Sequence, residues 1–170
     1  AKAAGFQVRT NTTVYRGTDW REIRELFALV SDLGVNGIMV APAFSYEAVG
    51  EDIFLSRDEA IAAFEPIYRE RQNFRMYNTP IYMEFLAGKR SLHCTPWSTP
   101  TRNPKGWKQP CYLLTDGYCS SYAELMESTP WDSYGLGKDP RCTNCMVHAG
   151  FEASALDAIG SSLSDLWHMV

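Results

Sequence analysis

Long hydrophobic runs are missing from this chain. No stretch approaches the roughly 18 apolar residues of a membrane-spanning helix, so a span is excluded. A basic excess is missing too: 16 Lys and Arg stand against 20 Asp and Glu, for a net charge of −4. Nothing in that balance favours nucleic acid as a partner. No apolar stretch follows Ala1-Lys2-Ala3-Ala4-Gly5, so no signal peptide is read. The sequence holds no G-x-G-x-x-G, Walker loop, H-E-x-x-H or G-x-S-x-G, which removes several common catalytic and nucleotide-binding readings. A Ser–His–Asp arrangement is not discernible, and there are no internal repeats or low-complexity tracts. An initiator methionine is also lacking, and Ala1–Gly5 reads as a last helical turn closed by glycine. The expectation is a piece of a longer protein.

What the chain does have is cysteine in its second half. Cys94 lies in His93-Cys94-Thr95-Pro96-Trp97 and Cys111 in Gln109-Pro110-Cys111-Tyr112. Cys142-Thr143-Asn144-Cys145 forms a C-x-x-C. Without a secretory signal, five cysteines point away from a disulfide framework and towards a metal site. Four thiolates from three segments can converge on one soft metal centre, as Cys₄ zinc or as an iron–sulfur cluster, and the residues leave both open. The bland alternative is a set of buried, inert thiols. His93 and His148 keep a Cys₃His zinc site open, although a histidine beside a ligand more often supports it or faces solvent. Cys119, in a turn-like context, is expected to be a partly exposed thiol outside the set.

The first half reads as α/β. Residues 6–15 are rich in β-branched and aromatic side chains and suit a strand. Asp19 with Glu22 suggests a capping box for a helix whose inner face carries Ile23, Leu26, Phe27, Val30 and Leu33. Residues 35–42 suit a buried strand. Ser56 with Glu59 caps the next helix, with Ile61, Phe64, Ile67 and Tyr68 inward. Residues 79–86 fit a third strand or a short helix. This rhythm predicts a parallel sheet with too few βα units to close a barrel. Around Gly88 the texture turns rich in proline, glycine, tryptophan and cysteine, which places a boundary between residues 1–87 and 88–170. Ser121 with Glu124 predicts a short helix, and Thr129-Pro130 another.

In α/β proteins ligands bind beyond the carboxyl ends of parallel strands. Those ends are Asn11, Thr12, Thr13 and Tyr15, and Ala41, Pro42 and Ala43 followed by Tyr46 and Glu47. They make Asn11 and Pro42 candidate cofactor contacts, although isolated Asn and Thr more often cap loops. Trp97, Trp107, Tyr112, Trp131 and Phe151 are expected to pack the small module, or in part to line an apolar pocket.

Three segments carry a family resemblance: Cys94-Thr95-Pro96-Trp97, residues 106–114 with Cys111, and residues 142–153 with the C-x-x-C. Through them the chain resembles the hopanoid-biosynthesis radical S-adenosylmethionine proteins, the adenosyl-hopene transferases, from about Phe6 onward. The resemblance implies the C-terminal part of a partial (β/α) barrel followed by a cysteine-rich module. It implies S-adenosyl-L-methionine as cofactor, cleaved at a [4Fe–4S] cluster to a 5′-deoxyadenosyl radical that adds to hopene and gives adenosylhopane. It also implies an apolar triterpene substrate, an electron donor such as flavodoxin or ferredoxin, and a cytoplasmic location peripheral to the membrane through that substrate. The family's radical-generating C-x₃-C-x₂-C loop is not in this sequence, so this chain by itself is expected to be inactive. By analogy with auxiliary-cluster modules, Cys94, Cys111, Cys142 and Cys145 would hold an additional iron–sulfur cluster. The alternatives are a Cys₄ zinc-stabilised binding module without redox chemistry, and a radical enzyme with another substrate.

Overall fold

The structure, a computed structural model, describes residues 1–45, 52–161 and 167. A single 3₁₀ turn, Lys2–Ala4, is closed by Gly5 at φ 81°, the left-handed conformation that glycine adopts freely. Strand β1 (Arg9–Val14) pairs in parallel with β2 (Gly37–Pro42), from Arg9 opposite Gly37 to Val14 opposite Pro42. Parallel pairing needs a crossover, and helix α1 (Trp20–Asp32) supplies it. Asp19 caps α1 through the Arg21 N–H at 2.9 Å, so the cap forms on a different donor from the one expected. Helix α2 (Arg57–Glu70) begins with the complete capping box of Ser56 and Glu59.

Of the expected inner face of α1, Ile23, Phe27 and Val30 are buried, while Leu26 is 39% and Leu33 66% exposed. The helix therefore beds a narrower stripe than its five apolar positions offer. Phe27 is fully buried and meets Trp20 and Phe74 edge-on, at 6.3 and 5.3 Å between ring centres.

A third strand at 79–86 does not form. Those residues make helix α3 (Pro80–Leu86), capped by Thr79 with proline at its first turn. The open edge of β2 is instead covered by residues 75–78. Ile38 donates to the Arg75 carbonyl and accepts from Tyr77 N–H, and the Asn78 side chain accepts from Val40 N–H at 2.7 Å. Asn78 thus stands in for a strand residue. Among the described residues the parallel sheet has two strands, and no barrel closes.

Beyond α3 a small antiparallel sheet runs β3 (Arg102–Asn103), β4 (Gly106–Pro110) and β5 (Thr115–Cys119). Helix α4 (Tyr122–Ser128) follows, capped by Ser121. Thr129-Pro130 opens only a 3₁₀ turn, Trp131–Ser133, rather than a helix. Helix α5 (His148–Ser161) packs on α3, with Phe85 and Phe151 stacked at 4.4 Å. One hydrophobic cluster joins Val14, Phe27, Ile38, Phe64, Tyr82, Phe85, Met146 and Phe151, and Cys94 and Cys145 pack against it. Among the described residues no helix is long and apolar enough to cross a membrane.

Arg16, just after β1, donates to both Glu59 oxygens at 3.1 and 3.0 Å and also pairs with Asp52. Arg16 first, then Ser56, holds the Glu59 carboxyl at about 2, below its ordinary 4.5. A depressed carboxylate pKa supports the fold above about pH 4.5, and that support fades as the pH falls towards 2. Glu59→Gln is expected to flatten this part of the acid-denaturation profile. The effect should be small and weakened by salt, because the pair lies in water. Urea denaturation checks the core: Phe27→Ala should cost about 3–5 kcal/mol, and Leu33→Ala no more than about 0.5 kcal/mol. A large loss from Leu33→Ala would mean that its face is covered in solution.

Candidate metal centre

Each cysteine is held by a different part of the fold. The Cys94 segment is sewn to the start of α5: Thr95 donates through its N–H and its Oγ1 to the Gly150 carbonyl, at 2.9 and 3.0 Å. Ser98 and Thr99 hydroxyls donate to the Ala149 carbonyl at 3.1 and 2.8 Å. Ser154, one turn along α5, donates to the His93 carbonyl. Cys111 follows β4, where the Leu114 N–H points at its sulfur, 3.5 Å away. Cys142 ends a 3₁₀ turn, Pro140–Cys142, capped by Asp139. Arg141 locks that turn to β5 through Asp116 at 2.5 and 2.9 Å, and Tyr134 donates to the same carboxylate at 2.8 Å. Cys145 closes the C-x-x-C with its N–H on the Cys142 carbonyl at 3.1 Å.

These three segments bring Cys94, Cys111, Cys142 and Cys145 to the wall of one cavity of about 40 Å³. The rest of the wall is largely apolar, with Phe44, Pro96, Leu113, Leu114 and Phe151 prominent. Burial pushes the Cys94 and Cys145 thiols up to about 12, and the neighbouring thiols add to the rise. Burial raises Cys142 as well, opposed by a hydrogen bond from the Gly135 backbone. Val147 N–H opposes the rise in the same way at Cys145. Cys94, Cys142 and Cys145 are therefore neutral at pH 7 without a ligand, and a bound cation is what would convert them to thiolates.

The donor chemistry suits a thiolate-ligated group. Among the described residues, no three His, Cys, Asp or Glu side chains are grouped closely enough to hold one metal ion. A tetrahedral zinc at about 2.3 Å from each sulfur would draw the four sulfurs to about 4 Å from one another. Cys119 is only 3% exposed, on β5 beside Ser128, and lies outside this cavity. It is thus a packed thiol, not the partly exposed one expected from its turn-like sequence. His93 is exposed, and neither it nor His148 lines the cysteine cavity.

Asn11 and Pro42 come together in a second cleft of about 360 Å³ at the strand ends, with Thr13, Tyr15 and His148. Phe44 and Tyr112 line both this cleft and the cysteine cavity, so the two spaces adjoin. The buried Nδ1 of His148 has no hydrogen-bond partner, and burial lowers the imidazole pKa. Tyr46 and Glu47 lie outside the described residues.

Residues 38–169 match the family described as Domain of unknown function (DUF3463). The chain belongs to this family. The matched span of the DUF3463 family contains β2, Pro42 and all four cavity cysteines, whereas Asn11 precedes it. No curated protein and no solved structure matches the chain.

Two residues at the centre escape a reading by motif. Arg57 supports the C-x-x-C turn from the first position of α2, 88 residues before Cys145, and only the fold reveals it. Gly150 sits against Cys94: a Cβ placed on it would lie 2.7 Å from the sulfur. Its helical neighbourhood gives no hint of that close approach. Gly150→Ala should displace Cys94 and cost about 1–3 kcal/mol, offset in part by the roughly 1 kcal/mol that alanine gains in a helix. Gly160→Ala is the control, because nothing lies within 4 Å of its added Cβ. Thermal denaturation should show Gly160→Ala at or above wild type and Gly150→Ala below Gly160→Ala.

Proposed function

We propose that this chain is the cluster-bearing part of a radical S-adenosylmethionine enzyme of hopanoid biosynthesis, with Cys94, Cys111, Cys142 and Cys145 as ligands of an auxiliary [4Fe–4S] cluster. The observation that carries the reading is the meeting of four thiols, from three separated segments, around one apolar cavity. Domains of the DUF3463 family occur in radical S-adenosylmethionine-associated proteins, which supports the same reading. In a [4Fe–4S] cluster each iron takes a separate thiolate, and four cysteines on one cavity wall offer that number of donors. Backbone N–H groups of Leu114, Gly135 and Val147 directed at three sulfurs suit thiolates.

In this reading the bound cofactors supply the 5′-deoxyadenosyl radical that adds to the hopene double bond. The radical-generating loop comes from sequence other than this one. Asn11 and Pro42, at the strand ends, contact S-adenosyl-L-methionine. Phe44, Tyr112 and Phe151 keep water from the space between the two cavities and offer apolar surface to a triterpene. The protein works in the cytoplasm, meets the membrane through its substrate and draws electrons from a flavodoxin or ferredoxin.

The parallel β1–β2 pair with its α1 crossover supports placement in a (β/α) barrel. A second reading is a Cys₄ zinc-stabilised binding module, which the donor set also suits.

Anaerobic reconstitution with iron and sulfide separates them. The expected result is a brown protein with about four irons per chain, lost in Cys142→Ala/Cys145→Ala. A colourless protein holding one zinc would move the function to the binding module. A folded chain that takes up no metal would overturn both. The enzyme containing the radical loop, with its clusters verified, should convert hopene and S-adenosyl-L-methionine to an adenosylated hopane under a reductant. Absence of that product would overturn the substrate.

A further inference from the structure

We infer that Arg57 is the counter-charge and positioning residue of the cysteine centre. The inference rests on the reading that the four cysteines hold a metal centre. Arg57 opens α2, far in sequence from the C-x-x-C, yet it binds three consecutive residues of that turn. Its Nε donates to the Thr143 carbonyl at 3.1 Å and its Nη2 to the Cys145 carbonyl at 2.9 Å. Its backbone N–H donates to Asn144 Oδ1 at 3.1 Å. The guanidinium lies 5.5 Å from the centre of the Phe85 ring, which stacks on Phe151, a wall of the cysteine cavity.

No salt bridge explains this arginine's placement among the described residues. Among the described residues no carboxylate forms an ion pair with Arg57, although other arginines of the chain are paired: Arg16, Arg24, Arg69, Arg90 and Arg141. A partly buried cation without a counter-ion is costly unless negative charge arises nearby. Burial acts against its charge, while Cys145 and then Asp58, the next residue of α2, favour it. Four thiolates around either a zinc ion or a [4Fe–4S]²⁺ core carry a net charge of about −2. That charge would face Arg57 across the Cys145 backbone. The fork geometry matters as well as the charge. Two N–H groups in one plane reach two carbonyls two residues apart, which fixes the turn that sets the spacing of the Cys142 and Cys145 sulfurs. A lysine carries the charge but not the fork.

The test uses the full chain, reconstituted anaerobically with iron and sulfide, as wild type, Arg57→Lys and Arg57→Gln. Three quantities are read: iron release into excess chelator, the midpoint potential of the visible chromophore, and the far-ultraviolet circular dichroism of the metal-free protein. Arg57→Gln should release iron about 10- to 100-fold faster and show a more negative potential, because a charge that favours the reduced centre is gone. Arg57→Lys should keep a potential near wild type and release iron at an intermediate rate. A chain that loads zinc is read by release rate. Wild-type release and potential in Arg57→Gln would overturn the inference while leaving the cluster intact. Loss of helical signal in both metal-free variants would also overturn it, by assigning Arg57 to the fold. A wild-type chain that takes up no metal would overturn the underlying reading itself.

Discussion

The structure turns on four thiols sharing one apolar cavity. A thiol tolerates such a place and a thiolate does not, which is why burial drives Cys94 and Cys145 up to about 12. A protein with no use for the anionic state would leave the matter there. Here the surroundings are arranged for the anion. The N–H groups of Leu114, Gly135 and Val147 are directed at Cys111, Cys142 and Cys145, and the Arg57 guanidinium backs the last of these. Hydrogen bonds to sulfur gain most when the sulfur is charged. Those N–H groups oppose the rise at Cys142 and Cys145, and burial still prevails.

No single element builds that arrangement. The sulfur of Cys94 depends on α5, through the Gly150 carbonyl and the bare Cα of Gly150. Cys111 depends on the β4–β5 sheet, Cys142 on the Arg141–Asp116 lock, and Cys145 on α2. Tyr82 adds a buried tie from α3, donating to the Met146 carbonyl at 2.8 Å next to the C-x-x-C. Glu152 joins α5 to the start of α3 by accepting from Thr79 Oγ1 at 2.6 Å and Asn78 Nδ2 at 3.1 Å. Asn78 in turn serves the edge of β2. Ordering loops of this kind costs about 1–2 kcal/mol of backbone entropy per residue. The cost is met because the loops are fastened to helices and strands that share a core with them.

Much of this was legible in the residues, and the failures have physical causes. Local signals read well: Ser56 with Glu59 gave a complete capping box, and the β-branched run at 6–15 contained β1. The four cysteines singled out by residue type line one cavity, while among the described residues no three ligating side chains come close enough for one metal ion. The third strand failed because Thr79-Pro80 is a strong helix start, and the sheet edge was met by the Asn78 amide, which no period of two announces. Leu26 and Leu33 lie near the helical stripe in sequence, but their burial depends on a neighbour that the pattern does not specify. Arg57 and Gly150 act through contacts made only after distant segments meet, so neither residue type nor spacing marks them.

The contact between the two cavities sets the chemical possibilities more tightly than either cavity does. Phe44 and Tyr112 form a common wall between the strand-end cleft, which Asn11 and Pro42 line, and the cysteine cavity. Charge is poorly screened through such a wall, and a change on one side is felt on the other. His148 lines the strand-end cleft, opening α5 three residues after Cys145, with its buried Nδ1 unpaired among the described residues. An unpaired ring nitrogen inside a protein is costly. The cost is tolerable where the same turn that carries the imidazole also fixes Cys145 and passes the Gly150 carbonyl to Thr95. The start of α5 therefore serves both cavities, and a change that shifts it moves the strand-end cleft and the sulfur set together.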